Sequence, residues 1–377
     1  MSPPLDLTQV DKLEFLILVD NYVEWFSTLP PEFTHELPQH LASPRNPIDP
    51  LTGLPMIDLD NYCCGAHGLS VLMKTTVGDE EYQVLLDSGP ESSSIARNIS
   101  AMSVDLTSLD ALVLSHWHRD HSGGITQVLN LRQDQLHTQG RDPEHDKLKV
   151  DLHPDRPIRR GIARFPATEP HCVLPPDPAF QEVEGSGGKV DRHSDPHEVL
   201  GRDGRKTGVG VSGEIRRIVD FEKGVRGGVR WEEDGDGKGE WFSDTMIMDE
   251  RYIVIDVKGK GLVVFSSCSH AGICNVITSL LPLDRPIYAI IGGLHLVPTN
   301  IQPAAQTVDF IAHNIKPEVQ YVLPLHCTGL EARGWLREEM GDRCVPAGVG
   351  MKGVFEGGSD EGYETAMGGE MGFRIVM

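Results

Sequence analysis

Residues 114–124 read Leu-Ser-His-Trp-His-Arg-Asp-His-Ser-Gly-Gly. Four side chains able to bind a transition metal, His116, His118, Asp120 and His121, fall within this short stretch. An apolar run over residues 109–114 leads into them and reads as a buried strand. Residues two apart on an extended chain point the same way, so His116 and His118 can grip one ion from the strand end. Asp120 and His121 then turn onto what reads as the start of a helix and can face a second ion. Ser-Gly-Gly lets the backbone pass close by. Imidazole and carboxylate together suit zinc, iron or manganese. The seven cysteines include no Cys-x-x-Cys pair, the usual mark of a structural zinc site.

Three further candidates end apolar runs elsewhere: Asp87 in Leu-Leu-Asp-Ser-Gly (85–89), His270 in Val-Val-Phe-Ser-Ser-Cys-Ser-His (263–270), and His326 in Tyr-Val-Leu-Pro-Leu-His (321–326). In this order and spacing the set resembles the metallo-β-lactamase superfamily over about residues 12–350. That resemblance implies an α+β fold, a four-layer αββα sandwich with metals at one edge between its sheets. It assigns His116, His118 and His270 to a first metal and Asp120, His121 and His326 to a second. Two zinc ions are the expected cofactors, with iron or manganese as alternatives. Asp87 is expected to orient a ligand or the motif loop from close to the catalytic centre.

The sequence departs from the superfamily pattern in one place. Most members carry a metal-bridging aspartate at the end of the strand before the last. Here residues 287–291 run into Gly-Gly-Leu-His-Leu (292–296), and His295 is the ligand-type side chain available there. It either replaces the aspartate, serves catalysis or is structural. Gly-Gly-Leu-His-Leu, Cys-Ser-His-Ala-Gly-Ile-Cys-Asn (268–275) and His-Cys-Thr-Gly (326–329) resemble the branch typified by 7,8-dihydropterin-6-methyl-4-(β-D-ribofuranosyl)aminobenzene-5'-phosphate synthase. So do Leu-Val-Asp-Asn (18–21), His-Gly-Leu-Ser (67–70), Ser-Gly-Glu-Ile (212–215) and Asp-Glu-Arg-Tyr-Ile-Val-Ile (249–255). Asn21 and His67 are the substrate-binding candidates. Cys268 and Cys327 read as small buried residues beside ligands.

The superfamily implies hydrolysis of an ester, lactone or phosphate by water activated on the metal. The branch implies an alternative, condensation of a dihydropterin methyl diphosphate with an aminobenzene ribofuranosyl phosphate. Di-iron redox chemistry is a third reading. A formal charge of −22 argues against a nucleic-acid partner. No apolar run reaches the ~18 residues of a membrane span, and no disulfide framework is visible, so a cytoplasmic protein acting on a small molecule is expected. The oligomeric state is not legible.

Length and pattern suggest one domain over residues 1–377 with a long insert at about 132–249. Residues 181–240 hold 14 of the 40 glycines, which argues against helix there. Residues 185–188 and 234–239 read as flexible tips, and residues 214–221 as an embedded strand. Residues 26–60 read as an irregular loop near the site. Hairpins are expected at 70–86 and 251–265. Helices are expected at 92–100, 123–131, 271–281, 302–315 and 328–340.

Overall fold

The computed structural model describes residues 5–234, 236–296, 301–358 and 373–375. Two mixed sheets form its centre. The first has eight strands in the order Phe33–Thr34, Lys352–Glu356, Lys12–Val19, Ser70–Val77, Glu80–Leu86, Ala111–Val113, Leu148–Leu152 and Gly188–Arg192. The second has six: His197–Leu200, Lys206–Val211, Ile253–Val257, Gly261–Ser266, Ile287–Gly293 and Tyr321–Leu325. The expected α+β sandwich is what the chain forms.

Three apolar clusters explain the layering. Between the sheets lie Phe15, Val71, Val84, Ile255, Phe265 and Leu323, all at most 1 % exposed. The outer face of the first sheet packs Leu85 and Leu112 against helices Ser92–Ala101 and Ile125–Thr138. The outer face of the second packs Val264 and Ile290 against helices Ile273–Ser279, Ile301–Asp309 and Leu330–Met340. Burial on both faces is why these strands read as unbroken apolar runs instead of alternating ones.

The strands Glu80–Leu86 and Ala111–Val113 are parallel neighbours, and so are Gly261–Ser266, Ile287–Gly293 and Tyr321–Leu325. Their C-terminal ends deliver Asp87, His116, Cys268, His295 and His326 to one edge of the sandwich. Four residues there have left-handed backbones although none is glycine: Asp87 (φ 56°), Ser269 (φ 61°), His295 (φ 47°) and His326 (φ 44°). Such strain persists where the surroundings over-determine it, and it clusters at functional sites.

Residues 132–249 are not one insert. Leu148–Leu152 and Gly188–Arg192 extend the first sheet, and His197–Leu200 with Lys206–Val211 extends the second. What departs from the sandwich is a separate four-stranded sheet, Gly239–Ser243, Gly228–Glu233, Arg159–Ala163 and Pro170–Val173. Residues 185–188 join helix Phe180–Gly185 to a core strand and are no loose tip. Of residues 234–239, residue 235 lies outside the described set. Residues 214–221 form no strand: the backbone N–H groups of Ile218 and Val219 donate to Asn275 Oδ1 at 2.7 and 2.9 Å, which binds the segment to the helix after His270. The supposed irregular loop at 26–60 carries the strand Phe33–Thr34 and the helix Glu36–Ala42. Among the described residues no helix is long and apolar enough to cross a membrane.

Phe355 is fully buried and meets Phe15 and Phe33 at ring distances of 5.7 Å each. Phe355→Ala is expected to cost about 3–5 kcal/mol, read as a lowered urea midpoint with an unchanged slope. A loss below about 1 kcal/mol would mean that the inter-sheet packing is not what holds the layers together.

Candidate metal centre

His116 Nε2 lies 2.9 Å from His118 Nδ1, His118 Nδ1 lies 3.1 Å from His270 Nε2, and His270 Nε2 lies 3.2 Å from His116 Nε2. Three ring nitrogens therefore face one another across a small triangle. Donors on a tetrahedral zinc with bonds of 2.0–2.1 Å sit about 3.3 Å apart, so the triangle fits one ion. Burial pushes His116 and His270 well below the usual imidazole range. Burial, with the charge of Arg160 next, takes His118 to about 3. Neutral imidazoles are what a metal requires.

Asp120, His121 and His326 form the second set. His326 Nε2 is 3.2 Å from Asp120 Oδ2, and His121 Nε2 is 3.7 Å from the same oxygen. His326 Nε2 is buried and faces the Asp120 carboxylate. For Asp120, burial is outweighed first by His121 and then by His326, and the carboxyl stays well below its usual range. For His121, burial is outweighed by the carboxylates of Asp120 and Asp87, which lift it to about 9. The residues present thus fit two metal ions.

Neighbouring side chains set the tautomers. Asp87 Oδ2 accepts from His121 Nδ1 at 2.7 Å and from Ser115 Oγ at 2.8 Å, and Oδ1 accepts from Ser115 N at 2.7 Å. Ser115 Oγ in turn accepts from His116 Nδ1 at 2.9 Å. One buried carboxylate thereby turns the Nε2 atoms of two ligands toward the metals. Asp87 therefore stands where it can position two candidate ligands.

Asn21, a substrate-binding candidate in the sequence, contacts two imidazoles. Its Oδ1 lies 3.2 Å from His326 Nδ1 and its Nδ2 lies 3.2 Å from His67 Nδ1, so it orients two imidazoles. His67, whose side chain is 70 % exposed, stands at the mouth with its Nε2 3.7 Å from Asp120 Oδ2. It is placed to meet a substrate. His295 lies outside the triangle of ring nitrogens. Its ring is 4.5 Å from that of His270, and both line a cavity of ≈ 320 Å³. A larger cavity of ≈ 750 Å³, lined by Tyr22, Arg333 and Arg337 among others, includes no ligand side chain.

The glycines after the motif are needed for close approach: a Cβ on Gly123 would lie 1.8 Å from Pro90 O, and one on Gly124 2.2 Å from Ser88 O. They press the metal loop onto the loop that carries Asp87.

The sequence reading overlooked a group of buried charges. Asp249 Oδ2 accepts from Trp117 N at 2.7 Å, Glu250 accepts from His270 N at 2.7 Å and Ala271 N at 2.6 Å, and Arg251 Nη2 donates to Leu114 O at 2.6 Å. Arg160, from the separate sheet, ion-pairs with Asp249 at 2.5 Å and donates to Trp117 O. The signal was the run Asp-Glu-Arg (249–251), noticed only as a branch motif. Three consecutive charges before an apolar strand, destined for burial, mark a site brace.

Asp87→Asn is expected to lower metal affinity by about 10–100-fold, measured by chelator competition with the fold checked by circular dichroism; unchanged affinity would contradict the positioning role. His295→Ala is expected to leave metal content per chain unchanged, and loss of one metal would make it a ligand.

Residues 67–201 match the family model described as the metallo-beta-lactamase superfamily. The chain is 26 % identical over 281 residues to the 7,8-dihydropterin-6-methyl-4-(beta-D-ribofuranosyl)-aminobenzene-5'-phosphate synthase of Methanocaldococcus jannaschii, covering 72 % of this chain and 84 % of that protein. It is 23 % identical over 272 residues to an uncharacterized protein of the same archaeon, covering 71 % and 85 %. Its fold is similar to the solved structure of a metal-dependent hydrolase of the beta-lactamase superfamily, with TM-score 0.57, 19 % identity, and 87 % and 93 % of the two chains covered. Residues 67–201 thus match the metallo-beta-lactamase superfamily model, and about seven-tenths of the chain is similar to the archaeal synthase.

Proposed function

We propose that the protein is a dinuclear metal-dependent hydrolase, with zinc as the metal, acting on a small ester, lactone or phosphate. The observation that carries this reading is the triangle of neutral ring nitrogens from His116, His118 and His270, set beside Asp120, His121 and His326. Bound metal supplies Lewis acidity and activates water at neutral pH.

The chain's own groups do the rest. Asp87, Ser115 and Asn21 hold protons on the Nδ1 atoms of His121, His116 and His326, leaving each Nε2 free to bind. His67 at the mouth meets the polar group of the incoming substrate. His295 stands beside His270 on the cavity wall and is placed to deliver a proton to the leaving group.

The synthase reading is kept for one reason, the 26 % identity to the archaeal synthase. Such a reaction also needs metal beside an anionic group. The test is the zinc-loaded protein on a panel of esters, lactones and phosphodiesters, with products read by mass spectrometry. Chelator-sensitive hydrolysis is expected, and His116→Ala is expected to abolish it. An inert panel, with condensation of a dihydropterin methyl diphosphate and an aminobenzene ribofuranosyl phosphate proceeding, would replace hydrolase by synthase. Undiminished turnover in His116→Ala would remove both readings.

A further inference from the structure

The strand Ile287–Gly293 ends where most superfamily members place the aspartate that bridges two metals, and here it ends in glycine. A Cβ on Gly292 would lie 1.9 Å from Ser266 O. A Cβ on Gly293 would lie 2.4 Å from Ser267 O and 2.6 Å from Cys327 Sγ. No side chain fits at either position, so no carboxylate does. The space is filled by the neighbouring loop after Gly261–Ser266, which runs through Cys268 to His270.

That loop brings a sulfur to the junction of the two donor sets. Cys268 groups with His116 and His270, and equally with Asp120, His121 and His326; in each group the donor atoms lie within 4.8 Å of one another. Among the described residues Cys268 alone belongs to both groups. Its Sγ is 3.1 Å from His121 Nε2, and the residue is 2 % exposed. His326, also 2 % exposed, belongs to the second of these groups, with its Nε2 3.2 Å from Asp120 Oδ2. A thiol kept only for packing does not need five metal-ligating side chains around it.

We propose that Cys268 is the bridging ligand, its thiolate shared by the two metals in place of the missing aspartate. This rests on the dinuclear site proposed above. On metal binding the thiol proton leaves to solvent and the sulfur donates lone pairs to both ions, with no change of oxidation state. The thiolate supplies the negative charge that the aspartate would have brought. It also biases the site toward zinc, cobalt and iron over manganese, because sulfur is a soft donor. Cys327 lies close by, with its Sγ 3.5 Å from Cys268 O, and is the comparison thiol.

The experiment is titration of the metal-free full chain with cobalt(II), following absorbance and bound metal, on the native protein, Cys268→Ser and Cys327→Ser. The native protein is expected to develop the ultraviolet thiolate-to-cobalt charge-transfer band with two cobalt ions per chain. Cys268→Ser is expected to lose that band, keep the visible bands of the histidine site and bind its second cobalt at least ten-fold more weakly. Cys327→Ser is expected to keep the band. Two bound cobalt ions without the band, or a band that survives Cys268→Ser, would overturn the bridge and leave the dinuclear reading standing. No cobalt uptake by the native protein would overturn both. Should Cys268→Ser not fold, X-ray absorption of the zinc-loaded native protein decides: a sulfur scatterer at about 2.3 Å supports the bridge, and a shell of nitrogen and oxygen alone overturns it.

Discussion

The carboxylate of Asp87 is the interaction on which the site depends. It is fully buried, stands on a left-handed backbone (φ 56°) and accepts from His121 directly and from His116 through Ser115. A histidine can present either ring nitrogen, and the bond made by one fixes the use of the other. Through Asp87 two ligands, one from each metal set, are committed to the same tautomer. Asn21 does the same for His326. The orientation of the candidate ligands is therefore set by groups outside the two donor sets.

A second tier holds the loops themselves. Asp249, Glu250 and Arg251 are consecutive, and each grips a different loop backbone, at Trp117, His270 and Leu114. Arg160 closes the group from the separate sheet with ion pairs to Asp244 and Asp249. Buried charges of this kind contribute little net stability, but breaking one member costs about 3–5 kcal/mol by leaving its partner uncompensated. Their consequence here is geometric. Two strand ends from different sheets, carrying His116 and His270, are held at a separation that lets their ring nitrogens meet at 3.2 Å.

The candidate ligands could be picked out because each follows a short apolar strand, so a local pattern records a distant meeting. The four layers were legible for the same reason. The bracing charges were not: Arg251 and Leu114 are 137 positions apart, and no periodicity links them. Glycine content misled in residues 181–240. Gly208 and Gly210 lie in a core strand, where a Cβ would meet Val10 Cγ1 at 2.2 Å and Leu7 Cδ2 at 2.3 Å, so they serve close packing and not looseness. Cys268 was passed over because its histidine neighbours already accounted for the motif. Its place between two donor groups exists only once three strands have been brought together.

Inductively coupled plasma mass spectrometry on protein purified without added metal tests the central claim most directly, since it asks whether these residues hold two ions. About two metal ions per chain, with zinc predominating, is the predicted result. One ion per chain or fewer would contradict it, because the second donor set would then be a cluster of buried side chains with no metal to explain its geometry.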